Sequence, residues 1–194
     1  MSPTSPINAL DIVGLCGSLR KASINRHALH LAGELMPASM KLDIVEWRDF
    51  PVFDGDVLAA GLPPAVAALR ERIRRADGVL IATPEYNFSI PGGLKNAIDW
   101  LSRGDDQPFA QKPVAMFSAS PGPVGGARVQ YDLRRVFLFL NAATLVKPEV
   151  FIGMAGGKFD AEGRCTDEGT RKFVGAQMVA FEKWIGAVRR MNAA

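Results

Sequence analysis

The residues best suited to chemistry form three short stretches, and each of them directly follows an apolar run. GSLRKASIN at 17–25 follows LDIVGLC, PEYNFSIPG at 84–92 follows GVLIAT, and SPGPVGG at 120–126 follows KPVAMFSA. Together they contain hydroxyls, amides, cations, aromatic rings and glycines. These residue types suit the binding of a ligand that is charged at one end and flat at the other.

The stretch at 17–25 has the composition of an anion-binding loop. Its polar side chains belong to Ser18, Ser23 and Asn25, and its cations to Arg20 and Lys21. Gly17 permits a tight turn, and the start of the following helix adds free N–H groups, so we expect a terminal phosphate here. Neither GxxxxGK[ST] nor GxGxxG occurs in the loop. The alternative is that Ser23 only caps the helix and the cations are surface residues.

The other two stretches fit the ring of such a ligand. Pro84 favours an extended conformation of Thr83. An extended Glu-Tyr-Asn-Phe segment at 85–88 can aim its backbone N–H and C=O groups at the polar edge of a ring. The Gly, Ser and Pro residues of 118–126 allow a close approach to its face. A phosphate with a flat heterocycle describes FMN. Alternatively, Tyr86 and Phe88 pack under the loop and Glu85 caps a helix. A hydrolase acid at Glu85 is disfavoured because no second carboxylate stands nearby.

The three stretches can meet only if the strands before them lie side by side. Apolar runs and helical periodicity alternate along the whole chain. We predict strands at 10–17, 41–47, 78–83, 112–120 and 144–153, helices at 24–36, 63–76, 91–103, 125–143 and 168–190, and surface loops at 48–62 and 154–167. This alternation predicts an α/β fold with a flavodoxin-like, doubly wound five-stranded parallel sheet in the order 2-1-3-4-5. Ligands of such sheets bind at the carboxyl ends of the strands.

The bulk composition is that of an ordinary globular protein. The chain has 194 residues, 48% of them hydrophobic, with 23 basic and 20 acidic residues. We expect one domain over 1–194, with residues 1–8 flexible. The basic residues lie in helical patterns, which disfavours nucleic acid as a partner. Without a signal peptide or an apolar run of about 20 residues, we expect a cytoplasmic protein with no membrane partner.

The histidines and cysteines do not suggest a metal site or a catalytic triad. His27 and His30 lie in one predicted helix with no Cys or acidic pattern around them. We therefore predict that the chain binds no metal. Cys16 lies in an apolar strand and is expected to be a buried, reduced thiol.

GSLRKASIN, TPEYNFSIPGGLKNAIDW and GGARVQYDLRR resemble the NADPH-dependent FMN reductase family, most closely its bacterial chromate/quinone reductase members. The resemblance covers about residues 10–153. It implies a flavodoxin-like fold with non-covalent FMN, NADPH or NADH as the electron donor, and quinones or chromate as acceptors in a ping-pong reaction. The flavin would carry the chemistry, so no catalytic side chain is expected.

The resemblance also assigns residues. It implies that Ser18, Leu19, Arg20, Lys21, Ser23 and Asn25 hold the phosphate, that Pro84, Glu85, Tyr86, Asn87 and Phe88 line the isoalloxazine, and that Ser120 and Gly122 close its other side. Relatives often have Tyr, Arg or His at the position of Phe88. Family members form dimers and often tetramers, in which Arg128, Tyr131 and Glu149 match positions that pair between subunits.

Two other functions use the same fold. A flavodoxin-type electron carrier would be strongly acidic, whereas this chain has a net charge of +3. A non-catalytic, flavin-binding regulatory module would bind FMN with negligible turnover. We therefore favour the reductase.

Overall fold

A parallel sheet forms the centre of the structure because the apolar runs of the chain pair side by side. The structure is a computed structural model that describes residues 9–193, so the expectation for residues 1–8 lies outside the described residues. Its strands are β1 (Leu10–Cys16), β2 (Met40–Val45), β3 (Gly78–Thr83), β4 (Pro113–Ala119), β5 (Ala143–Thr144) and β6 (Phe151–Ile152). The order β2-β1-β3-β4-β5 confirms the predicted flavodoxin-like topology.

Helices cover both faces of this sheet. They are α1 (Ile24–Leu35), α2 (Gly55–Ala59), α3 (Pro64–Arg75), α4 (Gly92–Leu101), α5 (Ala127–Phe139) and α6 (Glu168–Ala193). Residues of α1 and α6 pack in one core cluster, and residues of α3, α4 and α5 pack in the other. Within residues 9–193, no helix combines the length and the apolar character needed to cross a bilayer.

The strand β3 shows why the sheet is buried on both sides. All six of its residues are buried, and its side chains alternate between the two core clusters. Leu80 and Ala82 pack towards α1 and α6, whereas Val79 and Ile81 pack towards the other helices. This alternation follows from the two-residue repeat of a strand. A nearly continuous apolar run is therefore required here, as in other parallel sheets.

The predicted fifth strand at 144–153 is not continuous. It is divided into β5 and β6, which both pair with β4. Side chains of two helices bind the backbone carbonyls between them: Arg134 donates to Leu145 at 2.9 Å, Gln130 to Val150 at 2.8 Å and Gln177 to Pro148 at 2.9 Å. Pro148 has no N–H for a sheet hydrogen bond. Side chains therefore supplement the few hydrogen bonds that this segment makes with β4, which are the N–H of Ser118 to the carbonyl of Val150 and the N–H of Leu145 to the carbonyl of Val114.

The predicted loop at 48–62 contains the short helix α2. Asp54 precedes this helix and accepts a hydrogen bond from the N–H of Asp56 at 2.8 Å, as an N-cap does. The segment before it is fixed to α4, since Asn96 and Trp100 both donate to the carbonyl of Pro51 at 2.8 Å. The prediction of an irregular loop was therefore wrong for residues 55–59.

Candidate functional site

A pocket of about 400 Å³ lies at the carboxyl ends of β1, β2 and β3. Its lining comes from the segments that follow these strands and from the start of α4: Gly17, Ser18, Leu19, Arg20, Trp47, Tyr86, Pro91, Gly92 and Gly93. The chain reverses its direction of winding between β1 and β3, and such switch points are where open α/β sheets bind ligands. The predicted first and second stretches therefore meet in one cavity.

The loop between β1 and α1 has the geometry of an anion site. A Cβ atom on Gly17 would lie 2.2 Å from the Thr83 hydroxyl oxygen, so only glycine lets the loop leave β1 so close to β3. In the described part of the chain, the N–H groups of Leu19, Lys21 and Ala22 have no acceptor. Free N–H donors in front of a helix N-terminus fit a phosphate.

Ser23 and Asn25 support this loop from inside the protein. The Ser23 hydroxyl accepts a hydrogen bond from Arg26 as the N-cap of α1. The Asn25 amide donates to the carbonyl of Ala119 and accepts from its N–H, both at 3.0 Å. Both side chains are buried. Ser23 therefore caps the helix, as the alternative predicted. The amide of Asn25 also holds the end of β4, and its contact with a phosphate stays a prediction.

The segment after β3 is not extended as predicted, and it forms a tight turn beside the pocket. Tyr86 and Ser89 exchange two backbone hydrogen bonds of 3.1 and 3.0 Å. Between them, Asn87 and Phe88 have positive φ angles of 49° and 67°. Two positive φ angles characterise a type I′ turn, and they are unfavourable for phenylalanine. Backbone strain of this kind is concentrated at functional sites, which draws attention to Phe88.

Glu85 joins this turn to α5. One oxygen of its carboxylate accepts a hydrogen bond from Arg128 at 2.5 Å, and the other accepts from the N–H of Val129 at 3.2 Å. The Arg128 guanidinium also lies over the Phe88 ring, 3.7 Å from its centroid. The alternative that Glu85 caps a helix is therefore confirmed. Its side chain is only 7% exposed and is occupied by these contacts, so it is not a free general acid.

Trp47, which was not predicted from the sequence, lines the pocket just beyond β2. Its indole N–H donates to the carbonyl of Cys16 at 2.9 Å, so the ring is held against the end of β1. A Cβ atom on Gly93 would lie 3.0 Å from the ring, which explains a glycine in the first turn of α4. The available signal was the position of Trp47, an aromatic residue just after the carboxyl end of a strand that neighbours β1.

The third predicted stretch lies farther along the same edge of the sheet. Ser120 and Gly122 do not line the pocket, and their backbone carbonyls accept hydrogen bonds of 3.0 Å from Ala155 and Met154. The loop after β4 is thus held by the segment after β6. A contact between Ser120 or Gly122 and a ring stays a prediction.

The three residues expected between subunits have partners within the chain. Arg128 pairs with Glu85, and the Nζ atom of Lys147 lies 2.5 Å from Oε2 of Glu149. The hydrogen bond from Lys147 lowers the pKa of the Glu149 carboxyl below its ordinary value, with a smaller effect from the Tyr131 hydroxyl. A role of Arg128, Tyr131 and Glu149 between subunits stays a prediction.

The pocket is built for binding rather than for acid–base catalysis. Among the described residues that line it, Arg20 and Tyr86 are the only titratable ones, so no pair of acid and base is present. The cation and the free N–H groups suit a phosphate, and Trp47 and Tyr86 offer aromatic surface. These features fit FMN, which would bring its own redox chemistry.

Known proteins share both the sequence and the fold. The profile of the NADPH-dependent FMN reductase family matches residues 10–157. An NAD(P)H-dependent FMN reductase of Pseudomonas aeruginosa is 46% identical over 180 residues, covering 93% of this chain and 97% of that protein. A quinone reductase of Escherichia coli K12 is 47% identical over 183 residues, with the same coverage. The flavoenzyme FerB of Paracoccus denitrificans, an NAD(P)H:(acceptor) oxidoreductase, superposes with a TM-score of 0.84 at 35% identity, covering 92% of this chain and 98% of FerB. With its profile match, its close relatives and the pocket at the switch point in agreement, the chain belongs to the NADPH-dependent FMN reductase family.

Proposed function

We propose that this protein is an FMN-dependent NAD(P)H oxidoreductase that reduces quinones. The main support is the pocket at the switch point, which combines free N–H donors and Arg20 with the aromatic rings of Trp47 and Tyr86. The donor and the acceptor are supported by relatives that are named FMN reductase and quinone reductase. Chromate, other metal oxyanions and dyes are incidental acceptors in this proposal.

The β1–α1 loop holds the phosphate in this proposal. Its contacts are the N–H groups of Leu19, Lys21 and Ala22 and the guanidinium of Arg20, which can bind two phosphate oxygens at once. Lys21 adds positive charge at the surface of the loop. Ser23 and Asn25 keep the loop in place through the cap of α1 and the backbone of Ala119.

The segment after β3 holds the flavin ring. Pro84 and the turn at 85–88 would present backbone groups to its polar edge, and Trp47 and Tyr86 would pack near it. Glu85 fixes the turn through Arg128 and the N-terminus of α5. Ser120 and Gly122 would close the other side of the ring. When bound, FMN would supply the redox chemistry, and the chain supplies binding, orientation and N–H donors.

A shared, open face accounts for the order of the reaction. The pocket is a surface cleft with no side chain that acts as nucleophile, acid or base. NAD(P)H and the quinone would occupy the same open cleft in turn, and such an alternation would give ping-pong kinetics. The donor and the acceptor would then compete for this cleft.

The protein forms a homodimer or a homotetramer in this proposal. At the end of α5, the side chains of Leu138 and Phe139 are 78% and 87% exposed. Phe139 also lines a groove of about 550 Å³ between α4 and α5. Exposed apolar surface of this kind is typical of an interface. Light scattering coupled to gel filtration gives the mass of the assembly, and a monomer would contradict this part of the proposal.

The cytoplasm is the proposed location because both cysteines are free thiols and the proposed donors are nicotinamide nucleotides. Cys16 and Cys165 are both buried and not joined to each other. Reduced cysteines are the ordinary state in a compartment where thiols are kept reduced.

A turnover assay tests the function. The FMN-loaded protein is given NADH or NADPH with a panel of acceptors, namely quinones, free FMN, chromate and an azo dye, and kcat/KM is compared. We expect a yellow protein that oxidises NAD(P)H without a partner reductase, fastest with a quinone. FMN binding with negligible turnover would favour the regulatory module. Turnover only with an added reductase would favour the electron carrier, and a protein that takes up no FMN would overturn all three.

A further inference from the structure

A second groove adjoins the cofactor pocket, and the two share Arg20 as a lining residue. Its volume is about 400 Å³, a size found for small-ligand sites. It lies between the β1–α1 loop and the segment after β2. Its lining is charged throughout and consists of Arg20, Lys21, Arg26, Glu46, Arg48 and Asp49, and we call it the basic groove.

The basic groove has more positive charge than its own carboxylates neutralise. Arg26 forms an ion pair of 2.6 Å with Glu46, which leaves Asp49 as the remaining acid of the lining. Within residues 9–193, Arg20, Lys21 and Arg48 form no ion pair with any carboxylate. Three cations around one cleft repel each other, and an anion bound between them would remove this cost.

Arg48 is held at the edge of the basic groove. Its guanidinium donates a hydrogen bond to the carbonyl of Leu19, in the loop that forms the proposed phosphate site. An arginine has five N–H donors, so this contact leaves several of them available. The contact also fixes the segment after β2 to the β1–α1 loop. A cation that is already positioned loses less conformational freedom when an anion binds.

The phosphate of FMN does not require the basic groove. The free N–H groups of Leu19, Lys21 and Ala22, together with Arg20, already provide enough donors for one terminal phosphate. Arg48 lines the basic groove and not the cofactor pocket. Because Arg20 borders both cavities, an anion in the basic groove would lie next to the cofactor phosphate.

We propose that the basic groove is a second anion subsite, which binds a nucleotide phosphate next to the phosphate of the flavin. This inference rests on the proposed function, since it takes the neighbouring pocket as the flavin site. Two ligands carry such a group. One is FAD, whose outer phosphate directly follows the phosphate shared with FMN, and the other is the adenosine 2′-phosphate end of NADPH.

Direct binding measurements separate these two sources. In the first arm, FMN and FAD are titrated into the flavin-free protein and followed by quenching of flavin fluorescence. In the second arm, adenosine 2′,5′-bisphosphate is titrated into the FMN-loaded protein by calorimetry. The variants are Arg48→Gln, Arg48→Glu and Asp49→Asn. Lys41→Gln is the matched control, because it removes one cation from β2 near the opposite end of the sheet.

For Arg48→Gln we expect the affinity for FAD or for the bisphosphate to fall by about tenfold or more, as for a lost charge-assisted hydrogen bond. Arg48→Glu should lower the same affinity further. Asp49→Asn should tighten binding in the same arm. The affinity for FMN should fall by a smaller factor, since Arg48 contacts that loop only at the carbonyl of Leu19, and Lys41→Gln should resemble the wild type. A loss confined to FAD identifies the outer phosphate of FAD, and a loss confined to the bisphosphate identifies the 2′-phosphate.

Two results would overturn the subsite. One is that the Arg48 variants bind FAD and the bisphosphate with the same affinities as Lys41→Gln. The other is an equal loss of affinity for FMN and FAD, which would make Arg48 part of the flavin phosphate site. The proposed function fails separately, by the absence of FMN uptake or NAD(P)H oxidation in the wild type.

Discussion

The side-chain amide of Asn25 forms two hydrogen bonds with the backbone of Ala119, each 3.0 Å long. Asn25 lies in the first turn of α1, and Ala119 is the last residue of β4. The pair therefore fixes the start of the proposed phosphate loop to the end of the strand that leads into the third loop. Two parts of the site that are 94 residues apart share one anchor.

Replacing Asn25 should destabilise the protein. Asn25→Ala leaves the N–H and the carbonyl of Ala119 without partners in a buried place, and each such group costs about 1–3 kcal/mol. We expect the free energy of unfolding to fall by about 2 kcal/mol or more, measured by urea denaturation of the flavin-free protein. Asn192→Ala, at an exposed position, is the control. Equal stability of the two variants would show that the amide pair contributes little.

Removing the Glu85 carboxylate should weaken the turn after β3. Glu85→Ala deletes the hydrogen bond to the N–H of Val129 and leaves Arg128 without its partner. Loss of such a helix cap costs about 0.5–2 kcal/mol. We expect this decrease in the free energy of unfolding, with weaker FMN binding. Glu162→Ala removes an exposed carboxylate as the control, and a wild-type Kd for FMN in Glu85→Ala would separate the turn from the flavin site.

Arg20 should contribute to FMN affinity and not to folding. Its side chain is exposed and lines the pocket, so we expect it to contribute little to the stability of the fold. Arg20→Ala should weaken FMN binding by about 1–3 kcal/mol, as for a lost charge-assisted hydrogen bond, with little change in the unfolding midpoint. Fluorescence titration measures the Kd, and Lys41→Ala is the control. An unchanged Kd would remove Arg20 from the site.

Asp167 should make stability depend on pH in acid. The side chain and the N–H of Thr170 donate to its carboxylate, and these bonds lower the pKa of Asp167 below its ordinary value of 3.8. A folded pKa below the unfolded one contributes stability that is present above about pH 4 and is lost as the pH falls through the folded pKa. Asp167→Asn should therefore flatten the decrease in unfolding free energy below pH 4. The exposed Asp105→Asn is the control, and an identical slope in both variants would contradict this assignment.

The sequence predicted the centre of the fold better than its edge. The strand β3 was predicted at 78–83 and is found there, since a strand that is buried on both faces must be an apolar run. The predicted fifth strand lies at the edge, where Arg134, Gln130 and Gln177 decide which carbonyls are satisfied. No local pattern shows these choices, because the donors come from α5 and α6.

Contacts between distant parts of the chain also explain which features of the site could not be predicted from the sequence. A turn, free N–H groups and charge in one short segment predict a phosphate site, and Gly17 and Arg20 of this segment do line the pocket. Trp47 is 31 residues from Cys16, to whose carbonyl it donates, and its place in the pocket follows from strand pairing. An amide near a helix start suits a phosphate, so the sequence alone does not show that Asn25 also binds the backbone of Ala119.

Phe88 offers a way to separate stability from binding. It has a φ of 67°, and for a residue with a side chain this region costs about 1–2 kcal/mol. Its ring lies under the Arg128 guanidinium, a contact worth about 0.5–1 kcal/mol at an exposed site. The backbone cost is therefore the larger of the two, and it is retained next to the pocket.

The Phe88→Gly variant creates Asn-Gly, the pair that type I′ turns favour, so it removes the strain while it loses the ring. We expect the free energy of unfolding to stay equal or rise by up to about 1 kcal/mol, whereas Phe88→Leu, which keeps the strain, should lose about 0.5–1 kcal/mol. Both variants should bind FMN more weakly, because both lack the ring of Phe88 beside the pocket. Urea denaturation and flavin titration measure the two quantities. If Phe88→Gly proved less stable than Phe88→Leu, the turn would not be strained. If Phe88→Gly bound FMN as tightly as the wild type, the strain would not be maintained for the flavin.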